Sequence, residues 1–252
     1  MPLPPNCRYD FPTPHQIAQI DPNGEGLIGI GADLACDTLI EAYRHGIFPW
    51  FSEGNPIAWY CPDPRCIIYP QDFQPSKSLS RRIKNSDWTL RINTDFAQVI
   101  HACAEVRAYA DGTWIGEDMI EAYTQLHHQG IAHSVEVWDG ETLIGGLYGL
   151  KLGQAFFGES MFHRVTDASK VAFFGLMKLC QASDFAWVDC QLPNEHLISL
   201  GAVTLPREQF LAQLAIQIDL PSYDWSKLSD KHIKVSELLS QNNPFDLGKG
   251  KM

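Results

Sequence analysis

The sequence predicts an α+β protein: a small N-terminal α+β domain over residues 1–62, a larger domain over 63–220 built on a mixed sheet flanked by helices, and a polar C-terminal tail over 221–252. Three observations carry that expectation. The apolar period is helical from Gly116 to His128 and changes to two beyond Gly130, the switch from helix to strand. A strand, a helix and a second strand follow one another between Ala155 and Gln191, the order of a β-helix-β unit. Pro62-Asp63-Pro64 interrupts any regular element, because two prolines two apart remove backbone donors, and so marks a boundary.

In chain order, Leu27 to Ile30 and Ile57 to Cys61 read as short strands, and Asp37 to His45 reads as a helix ended by a C-cap glycine, Gly46. Lys77 to Lys84 is a short basic helix. Trp88 to Thr94 is strand-like, Phe96 to Glu105 helical, and Gly116 to His128 helical with Met119, Ile120, Tyr123 and Leu126 as its apolar residues. His133 to Trp138, Thr142 to Leu152 and Ala155 to Phe162 are β-rich runs parted by Asp139-Gly140 and Gly153-Gln154, the chemistry of hairpin turns, so they form an antiparallel meander. Thr166-Asp167 caps a helix from Ala168 to about Gln181, which crosses to a strand from Phe185 to Gln191. Helices follow at Asn194 to Leu200 and Glu208 to Ile216. Past Pro221, Ser, Asn, Lys and Gly are frequent, so about the last twenty residues are expected to be a loosely attached tail.

With 252 residues, 45% of them hydrophobic, the chain can bury a full core. No apolar run reaches the roughly eighteen residues of a membrane span. Met1 to Cys7 lacks the basic and apolar regions of a signal peptide, so a cytoplasmic location is expected. Seven cysteines follow neither disulfide nor zinc spacing. Cys61, Cys66, His101 and Cys103 come nearest to a metal set, but Pro62 and Pro64 inside the gap speak against it, and neither metal nor cofactor is expected. The net charge of −11 excludes diffuse binding to nucleic acid but not a local patch. Lys77, Arg81, Arg82, Lys84 and Arg91 stand against Asp87 alone between 76 and 91, as a solvated helix face or as a phosphate site. No exposed apolar stripe is evident, so a monomer is expected.

Glu159, within Phe157 to Phe162, and Asp189, within Trp187 to Gln191, each place a carboxylate inside an apolar strand. Burying such a group is unfavourable unless it is paired or works. Both lie near strand ends, the edge of an open α/β sheet at which ligands gather. Several chemistries are excluded. A dinucleotide fingerprint starting at Gly29 needs its last glycine where Leu34 stands. His133-Ser134-Val135-Glu136 has the wrong spacing for a zinc deaminase, and neither a P-loop nor a nucleophile elbow occurs. The order of sheet and helix resembles the acetyltransferase (GNAT-type) architecture, whose pyrophosphate sits in a glycine-rich turn at the helix start. Here Arg164 to Ser169 holds no glycine and carries Asp167, so a coenzyme A thioester donor is not expected.

Gly46-Ile47-Phe48-Pro49-Trp50-Phe51, Cys61-Pro62-Asp63-Pro64-Arg65, Gly112-Thr113-Trp114-Ile115, Ala132 to Trp138, Gly145-Gly146-Leu147-Tyr148-Gly149, Phe157 to Phe162, Asp167-Ala168-Ser169-Lys170, Asp189-Cys190-Gln191 and His196 to Ala202 occur in this order. Together they resemble the leucyl/phenylalanyl-tRNA-protein transferase family from about Phe11 to Leu214. The resemblance implies an enzyme that moves leucine or phenylalanine from aminoacyl-tRNA onto proteins with N-terminal Arg or Lys, marking them for degradation, without ATP or metal. Asp189 and Gln191 match its catalytic Asp and Gln, with Asp189 handling the proton and Gln191 orienting the amine. For Asp189 the alternative is a cap on the helix near Asn194. Glu159 suits the cationic acceptor, and its alternative is an ion pair with Arg164 or Lys170.

Leu147, Phe156, Leu176, Cys180 and Val188 fall at family aminoacyl-pocket positions, although as bare sequence they would simply be core. Leu147, Leu176 and Cys180 stand where Met or Phe is expected, which implies a larger cavity. Trp50, Trp114 and Tyr123 could stack the terminal adenine of tRNA or pack in the core. Lys77, Arg81, Arg82 and Lys84 would meet tRNA phosphates. Departures from the family pattern are Ala32, Tyr60, Cys61 and His163, of which His163 could titrate near the acceptor site. The competing functions are an acyl-CoA-dependent acyltransferase of the same architecture and a non-catalytic tRNA-binding protein.

Overall fold

The computed structural model describes residues 6–108, 115–245 and 247. Helix α1 (Pro14–Ile20) starts in a capping box, in which the Gln16 amide donates to the Thr13 hydroxyl and the Thr13 amide donates to the Gln16 side chain. Then come strand β1 (Leu27–Ile30), helix α2 (Cys36–Arg44), β2 (Phe48–Pro49) and β3 (Ala58–Tyr60), whose strands form a small antiparallel sheet of order β1-β3-β2. Helix α2 ends at the expected glycine. Gly46 has a φ of +72°, donates its amide to the Tyr43 carbonyl at 3.0 Å, and has no room for a side chain, because a Cβ would fall 2.5 Å from Leu211 Cδ2.

The other strands are β4 (Arg65–Ile68), β5 (Thr89–Ile92), β6 (Ala132–Asp139), β7 (Thr142–Leu152), β8 (Ala155–His163), β9 (Val188–Gln191), β10 (Val203–Leu205) and β11 (His232–Lys234). Among the described residues they make one mixed sheet of order β10-β4-β9-β8-β7-β6-β5-β11. Helices α3 (Lys77–Lys84), α4 (Phe96–Ala108), α5 (Glu117–His128), α6 (Ala168–Ala182), α7 (Glu195–Ser199) and α8 (Arg207–Gln217) accompany it. The expected meander is β6-β7-β8, antiparallel throughout. Strands β8 and β9 run parallel, which the crossover through α6 makes possible.

Alternation along β6 divides the apolar side chains between the two faces. Val135 and Val137 join the cluster that contains α6, whereas Ala132 and Trp138 join the cluster formed with α2, α4 and α5. Ile28, Phe48 and Trp59 of the small sheet belong to that second cluster together with Phe157 and Phe210, so the two sheets share one apolar layer. Where β7 meets α6, a Cβ on Gly145 would lie 2.5 Å from Ala168 Cβ; only a glycine lets strand and helix approach so closely.

Two expectations are corrected. The described part of the segment after Pro221 is not a loose tail: Trp225, Leu228, Val235, Leu238 and Phe245 are buried, Trp225 stacks on Phe185 at 5.3 Å, and β11 pairs with β5 at the sheet edge. Its described apolar residues are few, but most of them reach the core, and each such burial is worth about 1.5–3 kcal/mol. Nor does Asp167 cap α6 with its side chain. Its φ is +72° and its carboxylate meets Lys170 at 3.2 Å and Arg82 at 3.8 Å, away from the helix amides. Among the described residues, no helix is long and apolar enough to cross a membrane.

Candidate active site

Where β8 and β9 part beyond their short parallel pairing, a cavity of about 430 Å³ opens, walled by Leu147, Met161, Phe173, Leu176 and Val188 and edged by Trp50, Glu159, Gln191, Asn194 and His196. The parallel pair ends here, and chain connectivity leaves a crevice at that edge.

Glu159 reaches the cavity because β8 bulges. Gly149 of β7 opposes Gly158 and Tyr148 opposes Ser160, so Glu159 is the extra residue and its side chain is re-aimed. Tyr43 of α2 donates its hydroxyl to Glu159 Oε1 at 2.6 Å, and Gln191 Nε2 donates to the same oxygen at 3.0 Å. The Tyr123 hydroxyl lies 2.6 Å from that of Tyr43 and 3.4 Å from Glu159 Oε2. Burial in this setting pushes the carboxyl up to about 7, with the Tyr43 hydrogen bond restraining the rise. The ion pairs considered for Glu159 do not form: Arg164 meets Glu105 at 3.5 Å, and Lys170 meets Asp167. The carboxylate is therefore held by neutral donors and is ready to accept a proton or a cation.

Asp189 faces away from the cavity, toward Arg65. Oδ1 accepts from Arg65 Nε at 2.8 Å and from the Gln191 amide at 2.9 Å, while Oδ2 accepts from Arg65 Nη2 at 2.6 Å. Both side chains are essentially unexposed, at 1% and 0%. Arg65 is wedged between the rings of Phe48 and Phe210 at 4.9 and 4.6 Å, and Nη1 donates to the Gly46 carbonyl. A bidentate pair this deep fixes geometry, and either partner alone would be an uncompensated buried charge. Asp189 does not cap α7, since Asn194 performs that role. Strand β9 also bulges: Ile67 opposes Asp189 but Cys66 opposes Gln191, and Gln191 has a φ of +63°. Asp189 holds the Gln191 backbone, and the Gln191 side chain holds Glu159.

A profile of the leucyl/phenylalanyl-tRNA protein transferase family matches residues 67–215, and a profile of that family's N-terminal domain matches residues 32–63. The chain belongs to this family. The leucyl/phenylalanyl-tRNA-protein transferase of Psychrobacter arcticus is 54% identical, over 95% of this chain and 90% of that protein. The one from Pseudomonas fluorescens is 53% identical, over 84% and 93%. Among solved structures, L-PGS from Bacillus licheniformis overlaps at a TM-score of 0.39 with 9% identity, over 62% of this chain and 51% of that chain.

The remaining residues singled out in this transferase family member divide into those at the cavity and those elsewhere. Leu147, Leu176 and Val188 line the cavity. Phe156 and Cys180 are buried outside the lining, Phe156 stacked on Trp225 at 5.4 Å, so both serve the core. Trp50 is 43% exposed at the rim, its ring edge-on to Tyr60. Trp114 lies outside the described residues. Tyr123 is fully buried with its hydroxyl committed to Tyr43, which leaves no ring face for a base. Lys77, Arg81, Arg82 and Lys84 are all on the exposed side of α3, with Arg82 shared by Asp167. Sequence reasoning missed Tyr43 and, as part of the site, Arg65, Met161 and Phe173. Arg65 carried a signal, because a buried Asp189 requires a cation.

Proposed function

We propose that this transferase moves leucine or phenylalanine from aminoacyl-tRNA to the α-amine of cytoplasmic proteins that begin with Arg or Lys, acting as a monomer and marking them for degradation. The observation that carries this reading is a mostly apolar cavity that holds one carboxylate poised near neutral pH and hydrogen-bonded to Gln191. An aminoacyl ester already stores the free energy of peptide bond formation, so the site must position two substrates and manage one proton.

In this reading Glu159 receives the acceptor's N-terminal ammonium and takes its proton, more readily as pH rises through about 7. The freed amine attacks the ester carbonyl. A C–N bond forms, the ester C–O bond breaks, and the proton passes to the departing ribose oxygen. Gln191, tethered through its side chain to Glu159, orients the amine. Asp189 acts through Arg65 and the Gln191 backbone, as a positioning group. The donor side chain rests against Leu147, Leu176 and Val188, joined by Phe173 and Met161, with the adenine on Trp50 and Trp114 and phosphates on Lys77, Arg81, Arg82 and Lys84. A thioester donor is disfavoured because the start of α6 presents Asp167 and no glycine-rich turn.

The test is transfer of labelled leucine from leucyl-tRNA to a peptide beginning with Arg, beside Glu159→Gln and Asp189→Ala variants and an acetyl-coenzyme A control. Label in the peptide, dependent on tRNA and on both carboxylates, is expected. Label from acetyl-coenzyme A, or RNA binding without transfer, would replace this reading with one of the two competing functions.

A further inference from the structure

Cys190 is the extra residue of the β9 bulge, so Cys190 and Gln191 together oppose Cys66 on β4. Both cysteines pack in one apolar cluster. Cys66 is fully buried, whereas Cys190 is half-buried and lines the cavity beside Gln191. Neighbouring Cα atoms on paired antiparallel strands lie about 4.5–5.5 Å apart, inside the span that a disulfide bridges. The two sulfurs already interact. Their contact lowers the Cys66 thiol below the ordinary thiol range and raises that of Cys190 well above it, while the Cys190 thiol points to the Val188 carbonyl at 4.0 Å. The pair thus sets a fully buried sulfur beside one at the cavity wall, where small molecules reach it.

We propose that Cys66 and Cys190 form a reversible oxidation site, a dithiol that hydrogen peroxide converts to a disulfide, silencing the adjacent cavity. Cys190, at the cavity wall, loses its thiol proton and attacks one peroxide oxygen; the O–O bond breaks, the sulfur becomes a sulfenic acid, and the other oxygen takes up that proton and leaves as water. The second thiol then attacks the oxidised sulfur, the S–S bond forms and a second water departs. Two electrons pass from the dithiol to the peroxide. The new bond draws Cys190 against β4 and pins the bulge. Gln191, the next residue, then loses the backbone setting that directs its amide to Glu159.

The full chain is treated with hydrogen peroxide, its free thiols are blocked, and its peptides are weighed, with transfer measured before and after dithiothreitol. A Cys66-Cys190 linked peptide lighter by two hydrogens is expected, with loss of transfer that dithiothreitol restores. Cys66→Ala and Cys66→Ser, each compared with its own reduced form, should keep their activity after peroxide. Absence of the linked peptide, or equal inactivation in both Cys66 variants, overturns the proposal. If the reduced protein transfers nothing, the function reading fails while the peptide mass still decides this one.

Discussion

Replacing Glu159 by Gln preserves the shape of the side chain and its contact with Tyr43, but removes the titration. In the folded protein the carboxyl sits at about 7 against an ordinary 4.5, because burial disfavours its charge. A raised folded pKa means that its contribution to stability is complete below about 4.5 and is lost as pH climbs through about 7. The distance between those values corresponds to about 3 kcal/mol. Glu159→Gln should therefore match the wild type in urea unfolding near pH 4.5 and exceed it by about 3 kcal/mol at pH 8.5. Subtracting the two profiles removes every other titrating group, including His133, which burial lowers to about 3. Transfer by the same variant should fall by about 10²–10⁴, the usual worth of a positioned proton acceptor. Parallel stability profiles for the two proteins would refute the reasoning, since Glu159 would then titrate as an ordinary exposed acid.

Arg65→Met strands Asp189 as a buried charge and should lose about 3–5 kcal/mol in urea unfolding, whereas Arg65→Met with Asp189→Leu should recover most of that loss. Arg81→Ala combined with Lys84→Ala should leave the fold intact and lower the salt slope of tRNA binding by about one per cation removed. An unchanged slope would take α3 out of the RNA path.

The meander was legible because β6, β7 and β8 alternate and their turns carry Gly140 and Gly153, both at positive φ. Strand β4 was not, because it opens on Arg65 just after two prolines, and a charge there is admissible only through Asp189, 124 positions away. The C-terminal segment misled through its average composition, which hides Trp225 and Phe245 among polar residues. At the site, Glu159 and Gln191 were visible as polar groups in apolar strands. Their mutual bond, the turn of Asp189 toward Arg65 and the part played by Tyr43 depend on two bulges and on a helix 116 positions upstream of Glu159, none of which periodicity records.

Those bulges have a further consequence. A regular strand assigns each side chain to a face by counting, so a one-residue deletion normally inverts everything beyond it. Glu159 and Cys190 are supernumerary to their ladders, and removing either would restore regular pairing with β7 or β4. The sheet would close more regularly, but the cavity wall would lose the carboxylate or the thiol that these bulges turn toward it.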